Sequence, residues 1–500
     1  MISMLAAGFG AVFLDPVMIM AVFAGVVIGV VFGALPGLTC VAGLSLLLPV
    51  TYAMKSSMGL SMMTALYIGG TSGGLISAIL LNIPGTPSSI ATCFDGRPLA
   101  TKGEAGKALG VGVFSSIYGT CFGIACMILM APTLAAITIN FGPWEYFGVT
   151  VCALTLISSL CGKSLLKGLI SAVFGMMFAT VGLAPIDSAQ RFTFGSVALS
   201  SGFSLLTVLV GLYAISEVVS TASGGSGKDV SIITDYKIKG LGFTWNEIKG
   251  QWKNLNISSL IGLVIGILPG IGGSTSNIVA YSVAKDSSKY PEKFGTGIID
   301  GVVAPESSNN ASIGGAMIPL LTLGIPGDGS TAILLGAFLL HGLQPGPLLF
   351  QTNGDVVYSI FASMILSTFM MGAVMYLGMR VFVKILKVPS YILMPVIVVL
   401  CCIGAFAINS RVFDVWALVA FGMLGIAMHK ANLPAPPFIL GFLLCEMFET
   451  NLRRGLEYSN GNFFEIFNRP IAMVFVVITV LSVAYSIIAN VKRYRRDLCD

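Results

Sequence analysis

The chain has 500 residues, of which 55% are hydrophobic and 10% charged, with a mean hydropathy of +0.92. A soluble domain carries about 25% charged residues, so this sequence cannot clothe a water-facing surface and takes the bilayer as its solvent. The net charge of +5 is scattered through loops, and the two histidines, His341 and His429, lie far apart, so nucleic-acid binding, a histidine-based metal site and a Ser-His-Asp triad have no support.

The first residues carry no basic segment and no small-residue cleavage motif, so the first apolar run is expected to be retained as a span. A span needs roughly 20 apolar residues, and about 12 are predicted, at 11–33, 108–138, 144–161, 165–185, 203–222, 255–281, 331–350, 356–386, 390–408, 412–429, 434–448 and 470–490. Two further regions, 38–94 and 296–330, are apolar but contain Gly-Gly, Pro-Gly and Ser/Thr clusters, and are expected to be broken or re-entrant. The polar segment 223–254, with Lys228, Lys237, Lys239, Lys249 and Lys253, divides the chain, and the tail carries Lys492, Arg493, Arg495 and Arg496. The positive-inside rule places both in the cytoplasm and the N-terminal segment, which lacks Lys and Arg, outside. Trp144, Trp245 and Trp252 fall near span ends, as interfacial belts expect. The ten cysteines form no CxxC pair and read as small apolar residues in helices.

The two halves resemble each other. Gly33-Ala34-Leu35-Pro36-Gly37-Leu38 answers Gly266-Ile267-Leu268-Pro269-Gly270-Ile271, an offset of 233. The run from Gly73 through Asn82-Ile83-Pro84-Gly85 answers the run from Gly315 through Gly324-Ile325-Pro326-Gly327, an offset of 242, and Ser88-Ser89 answers Ser330-Thr331. The second half therefore holds about nine more residues, expected around 285–294. The expected fold is an all-α integral membrane protein of two inverted repeats, 1–222 and 255–450, whose broken helices meet near the midplane as helical hairpins. Segment 223–254 is the cytoplasmic linker, and 451–500 adds a last transmembrane helix and a basic tail.

Proline removes a backbone donor and glycine lets the chain turn. A Pro-Gly inside a span thus stops one helix and restarts another, and the exposed backbone groups cost several kcal/mol each unless protein, water or ligand satisfies them. The restarted helix offers amide N–H groups and about half a positive charge, which suits a carboxylate. The substrate-binding candidates are accordingly Thr39, Asn82, Pro84, Gly85, Thr86, Ser88 and Ser89 in the first half, and Ser274, Thr275, Asn277, Pro326, Gly327, Ser330 and Thr331 in the second. Asn82, Asn277, Glu306, Asn310 and Asp328 are the candidates for a coupling ion, sodium or a proton. The competing expectation is that these residues only cap helices, and that Glu306 and Lys285, Lys289 and Lys293 are solvated loop residues. The loop Asp95-Gly96-Arg97-Pro98 reads as an interfacial turn.

These residues are similar to the large membrane subunit of tripartite tricarboxylate transporters, the TctA family. The resemblance rests on the Leu-Pro-Gly break, on 288–295, on Ala304-Pro305-Glu306-Ser307-Ser308-Asn309-Asn310, on 323–327 and on His341-Gly342-Leu343-Gln344-Pro345-Gly346-Pro347. In the first half it runs through 81–89 and Asp95-Gly96 to 103–110. It implies a multi-pass bacterial inner-membrane permease importing a di- or tricarboxylate on an ion gradient, without ATP. Its implied partners are a small TctB-like membrane subunit and a TctC-like periplasmic solute-binding protein. The chain departs from the family at Thr71-Ser72-Gly73-Gly74-Leu75 and at Leu38-Thr39-Cys40-Val41-Ala42, which leaves open which carboxylate is carried. A passive anion channel is the alternative. An enzyme is not expected, because Glu306 and Asp328 come with no nucleophile–base pair or metal spacing, and no cofactor is implied.

Overall fold

The structure is a computed structural model and describes residues 2–35, 38–160, 165–216, 218–219, 242–269, 272–385 and 390–497. Outside them lie Pro36-Gly37 and Gly270-Ile271 of the two Leu-Pro-Gly motifs, and Lys228, Lys237 and Lys239 of the linker. The helices in chain order are α1 (Ile2–Phe13), α2 (Pro16–Ala34), α3 (Cys40–Tyr52), α4 (Ser56–Leu81), α5 (Thr92–Leu99), α6 (Ala105–Thr138), α7 (Pro143–Leu160), α8 (Leu165–Ala179), α9 (Leu205–Val210) and α10 (Trp245–Gly250). They continue with α11 (Trp252–Ile267), α12 (Gly272–Ser287), α13 (Asp300–Leu323), α14 (Gly329–Leu340), α15 (Gly354–Ile385), α16 (Ser390–Asn409), α17 (Val412–Lys430), α18 (Ala435–Tyr458) and α19 (Pro470–Asp497). Among the described residues, five helical stretches are long and apolar enough to cross a bilayer: Pro16–Ala34, Ser56–Leu81, Thr92–Thr138, Gly354–Gly378 and Val412–Lys430. The protein is thus an all-α membrane protein with many apolar helices.

The chain forms two compact units, and each draws on both sequence halves. One comprises Met1–Ala135 and Ala214–Ile408, the other Ala136–Tyr213 and Asn409–Asp500. In the second unit α8 and α18 cross closely, because Gly175 lies against the Phe438 carbonyl and Gly441 against that of Ala172. A short antiparallel hairpin pairs β1 (Gly182–Leu183) with β2 (Gln190–Arg191), and Arg191 donates through both guanidinium nitrogens to Glu449, at 2.9 and 2.6 Å.

The first unit carries the internal repeat, and its backbone contacts recur at the two sequence offsets. A side chain on Gly29 would meet the Leu66 carbonyl, and one on Gly262 would meet that of Ser308. Gly33 faces the Gly70 carbonyl as Gly266 faces that of Ser312, and Gly73 faces Val30 as Gly315 faces Leu263. The glycines of the two Ile-Pro-Gly motifs follow the same rule: Gly85 sits on the Gly33 carbonyl and Gly327 on that of Gly266. The pair α2–α4 is therefore packed as the pair α11–α13 is. Helices approach this closely only where no Cβ intervenes, the usual device for helix packing in lipid. The ends match as well. α4 stops at Asn82 with φ 58° and α13 at Gly324 with φ 71°, both left-handed C-caps.

Several expectations are corrected. The expected break at 304–310 is helical, because α13 runs unbroken from Asp300 to Leu323 with Pro305 and Pro319 inside it. Its polar side chains satisfy the backbone locally: Ser307 Oγ donates to the Val303 carbonyl at 2.8 Å and Asn310 Nδ2 to that of Glu306 at 3.0 Å. Gly73-Gly74 and Gly314-Gly315 are packing contacts inside helices rather than breaks. The stretch 11–33 is divided at Asp15, which accepts from the Val17 and Met18 amides and caps α2, with Pro16 at the first helical position. The stretch 255–281 is likewise two helices, α11 and α12. The turn read at 95–98 is the body of α5. Its Asp95 is fully buried and accepts from the amides of Gly295, Gly297 and Ile298 and from Tyr281 Oη, at 2.7 to 3.0 Å. Asp95 thereby pins the loop that precedes α13.

Candidate functional site

Within the first unit each break lies against the Ile-Pro-Gly arm of the other half. α3, which restarts after the first break, packs on α14, and Cys40 at its start donates through Sγ to the Leu66 and Tyr67 carbonyls of α4, at 4.0 and 3.8 Å. α12, which restarts after the second, packs on the turn Pro87–Ser89, and Asn277 Nδ2 donates to the Pro87 carbonyl at 3.3 Å. Ser88 reaches the α12 start, its Cβ 3.3 Å from where a Cβ on Gly273 would stand. The structure therefore gathers Ser88, Asn277 and Ser330 around the two breaks.

Five of the candidate residues hold helix and turn ends. Thr39 Oγ1 accepts from the Ala42 amide at 3.1 Å and caps α3. Thr86 and Ser89 form a reciprocal capping box around the turn after the first Ile-Pro-Gly. Asp328 and Thr331 do the same for α14: Asp328 Oδ1 accepts from the Thr331 amide and Thr331 Oγ1 from the Asp328 amide, each at 2.8 Å. Capping uses one carboxylate oxygen of Asp328. The other, Oδ2, accepts from Tyr67 Oη at 2.6 Å, which ties α4 of the first half to the second arm. Gly85, Pro326 and Gly327 are buried at the backbone approach described above, whereas Asn82 and Thr275 are exposed and Pro84 and Ser274 half-buried.

Glu306 and Asn310 lie one turn apart on α13, both fully buried and away from the breaks. Glu306 Oε1 accepts from Thr92 Oγ1 of α5 at 2.5 Å and Oε2 from Ser116 Oγ of α6 at 3.1 Å. Asn310 Oδ1 accepts from Ser72 Oγ of α4 at 2.6 Å and from Thr120 Oγ1 of α6 at 3.3 Å. The solvated-loop reading of Glu306 is thereby corrected: it is the centre of a hydroxyl-lined polar layer joining α4, α5, α6 and α13. A carboxylate so placed can hold a proton or neutralise a cation.

Tyr67, Thr92, Ser116, Thr120 and Asn309 belong to these clusters and were not singled out by sequence. The hydroxyl residues sit in apolar runs where nothing marks them. Asn309 stands inside the motif 304–310, where its polarity was the available signal.

The profile of the Tripartite tricarboxylate transporter TctA family matches residues 19–440, most of the chain and both arms of the repeat. The chain belongs to the TctA family. It is 34% identical over 497 residues, covering 99% of this chain and 98% of the other, to an Agrobacterium vitis protein named "Uncharacterized 52.8 kDa protein in TAR-I ttuC' 3'region". A second Agrobacterium vitis protein, "Uncharacterized protein in TAR-II ttuC' 3'region", is 36% identical over 236 residues, 47% of this chain and 97% of its own length. No solved structure matches the chain. As a TctA protein it is a multi-pass membrane subunit of a transporter of the tricarboxylate class, in a system with further subunits.

Proposed function

We propose that this TctA protein is the permease of a secondary active system that imports an organic anion of the di- or tricarboxylate class on a sodium or proton gradient. A periplasmic solute-binding protein would deliver the substrate and a small membrane subunit would complete the assembly in the bacterial inner membrane, with the C-terminus of this chain cytoplasmic. It would do so without chemical conversion of its cargo. In this reading 1–222 and 255–450 are inverted repeats joined by the cytoplasmic segment 223–254, and 451–500 is an addition.

The observation that carries the reading is the crossed packing of the breaks, in which α3 packs on α14 and α12 packs on Pro87–Ser89. Two restarted helices, α12 and α14, present their N-terminal amides at these crossings. Such ends stabilise negative charge, and Ser88, Ser274 and Ser330 add hydroxyl donors. The break itself frees backbone carbonyls at the end of α11, where a cation is favoured. An anion and a cation held in one crossing are bound cooperatively, which is the physical basis of coupling. Moving one positive charge inward gains about 2.3 kcal/mol per 100 mV of membrane potential.

Uptake of labelled citrate and C4-dicarboxylates by cells expressing the chain with its partner subunits tests this. Accumulation above the external concentration, lost when the ion gradients are collapsed, is expected; equilibration without accumulation would mean a passive anion channel. Ser330→Ala leaves the Asp328–Thr331 capping box intact and is expected to lower uptake at least about tenfold, on the scale of one lost hydrogen bond to a charged group. Wild-type uptake by this variant, at wild-type protein levels, would overturn the site.

A further inference from the structure

We propose that the crossing formed by Gly273, Asn277 and Asn309 is a binding site for a desolvated sodium ion, and that the pseudo-equivalent crossing is the same site filled by side chains. The inference rests on the reading above and names its coupling ion.

The repeat offsets put Gly273 in correspondence with Cys40, Asn277 with Leu44, Asn309 with Tyr67, Thr86 with Asp328 and Ser88 with Ser330. In the first of these crossings Tyr67, Asp328 and Cys40 all have partners. Tyr67 spans the gap and donates to Asp328 at 2.6 Å, Cys40 Sγ donates to the Leu66 and Tyr67 carbonyls, and Leu44 is buried. The second crossing holds shorter residues at three of these places, Gly273, Asn309 and Thr86. No side chain stands at Gly273, and Asn309, in the place of Tyr67, is too short to span the gap.

The polar atoms left over are specific. Asn309 is fully buried, and neither its Oδ1 nor its Nδ2 has a hydrogen-bond partner. Asn277 is fully buried too, and its Oδ1 is unpartnered while its Nδ2 holds the Pro87 carbonyl. Asn309 Oδ1 points at the first turn of α12, 2.5 Å from where a Cβ on Gly273 would stand, and Asn277 follows Gly273 by one turn on the same face. Buried polar atoms without partners cost about 1–3 kcal/mol each and are rare in native folds, so two such amides at the first turns of α12 mark a place where a ligand completes the set.

Two amide oxygens favour a hard cation, which takes oxygen ligands. An acidic group also lies at the start of α12: Asp328 is against Gly272, with its Cβ 2.6 Å from the position of a Cβ there. With two neutral amides and no carboxylate in the set, it suits a monovalent ion over a divalent one.

The test is thermal unfolding of the purified full-length chain in NaCl against KCl at constant ionic strength. A saturable sodium-specific rise in Tm is expected from ligand linkage. Asn309→Leu and Asn277→Leu, the second installing the residue of the twin position, should each weaken the apparent sodium affinity at least tenfold. Asn277→Ser is the milder variant should either fail to accumulate. Absence of a sodium-specific shift in the wild type, or wild-type sodium affinity in the variants, would overturn the site. So would stabilisation by citrate in KCl that the same variants abolish, because the crossing would then hold the anion. Carboxylate accumulation that is indifferent to sodium would sink this inference and leave the transport reading standing. A sodium shift without any carboxylate uptake would do the reverse.

Discussion

The arms 33–89 and 266–331 share a backbone and differ in what they put on it. α2 against α4 and α11 against α13 meet at matched glycines and end in matched left-handed caps. Where α4 reads Thr64-Ala65-Leu66-Tyr67-Ile68, α13 reads Glu306-Ser307-Ser308-Asn309-Asn310. Both stretches are buried. The repeated feature is thus the distance of approach, set by residues with no side chain, and the polar content is free to diverge around it. The first arm uses that freedom for an apolar filling closed by one tyrosine. The second carries a buried carboxylate and two amides that only hydroxyl neighbours and a ligand can satisfy.

The largest effect is expected where the arms agree. Gly29→Leu and Gly262→Leu each drive a side chain into a backbone carbonyl, of Leu66 and of Ser308. Neither helix can retreat without breaking its other glycine contacts. Each substitution should cost at least about 3 kcal/mol, the upper range for overpacking a tight core, and both variants should fail to accumulate in the membrane to the same degree. Thermal unfolding of whatever protein is recovered measures it. A tolerant Gly29→Leu beside an intolerant Gly262→Leu would break the equivalence of the two pairs.

A smaller effect, opposite in sign between the arms, is expected at Tyr67 and Asn309. Tyr67→Phe removes the donor to Asp328 Oδ2 and leaves a carboxylate oxygen short of a partner, at about 1.5–3 kcal/mol for a bond to a charged group. Asn309→Leu removes two atoms that have no partner and replaces them with a near-isosteric apolar side chain. In sodium-free buffer it should be neutral or stabilising by up to about 1 kcal/mol. Unfolding of the two variants in KCl decides the matter: an Asn309→Leu protein as destabilised as Tyr67→Phe would mean the amide is satisfied.

How much of this was legible follows from the range of each interaction. The register of the repeat was readable because Pro-Gly and Gly-Gly are punctuation that any chain must place with care, and the family was readable from 304–310 and its neighbours. The meaning of the punctuation was only half legible. Gly73-Gly74 signals a missing Cβ whether the chain turns there or another helix passes, and only the packing of Val30 on Gly73 decides. A run such as Pro305-Glu306-Ser307-Ser308-Asn309-Asn310 looks like a loop by propensity. It is a helix because its side chains return hydrogen bonds to its own backbone and the Glu306 carboxylate finds α5 and α6. Asp95 holding Gly295 and Gly297, and Tyr67 holding Asp328, join residues about 200 or more apart, and no local pattern encodes them.

The smallest expected effect lies at the entrance of the second arm, where the first has no counterpart. Glu247 of α10 takes the Lys107 ammonium at 2.8 Å and accepts from the Thr244 amide at 2.7 Å, and these contacts hold its carboxyl down to about 2. The offset of 233 puts Leu14, an exposed apolar residue, at the matching place in the first arm. A carboxyl depressed in the folded state contributes stability that is fully present above its unfolded value of about 4.3 and is lost as pH falls toward the folded one. The contribution should therefore fade between about pH 4.3 and about pH 2. Its size should stay under about 1 kcal/mol, because both side chains of the pair are partly exposed and solvent screens them. Glu247→Gln should remove that fraction of the acid sensitivity and lower stability slightly at neutral pH. Leu14→Gln should leave the acid limb of the unfolding curve unchanged. Equal acid limbs for wild type and Glu247→Gln would mean the ion pair does not tie α10 to the start of α6, and the two arms would then be anchored alike.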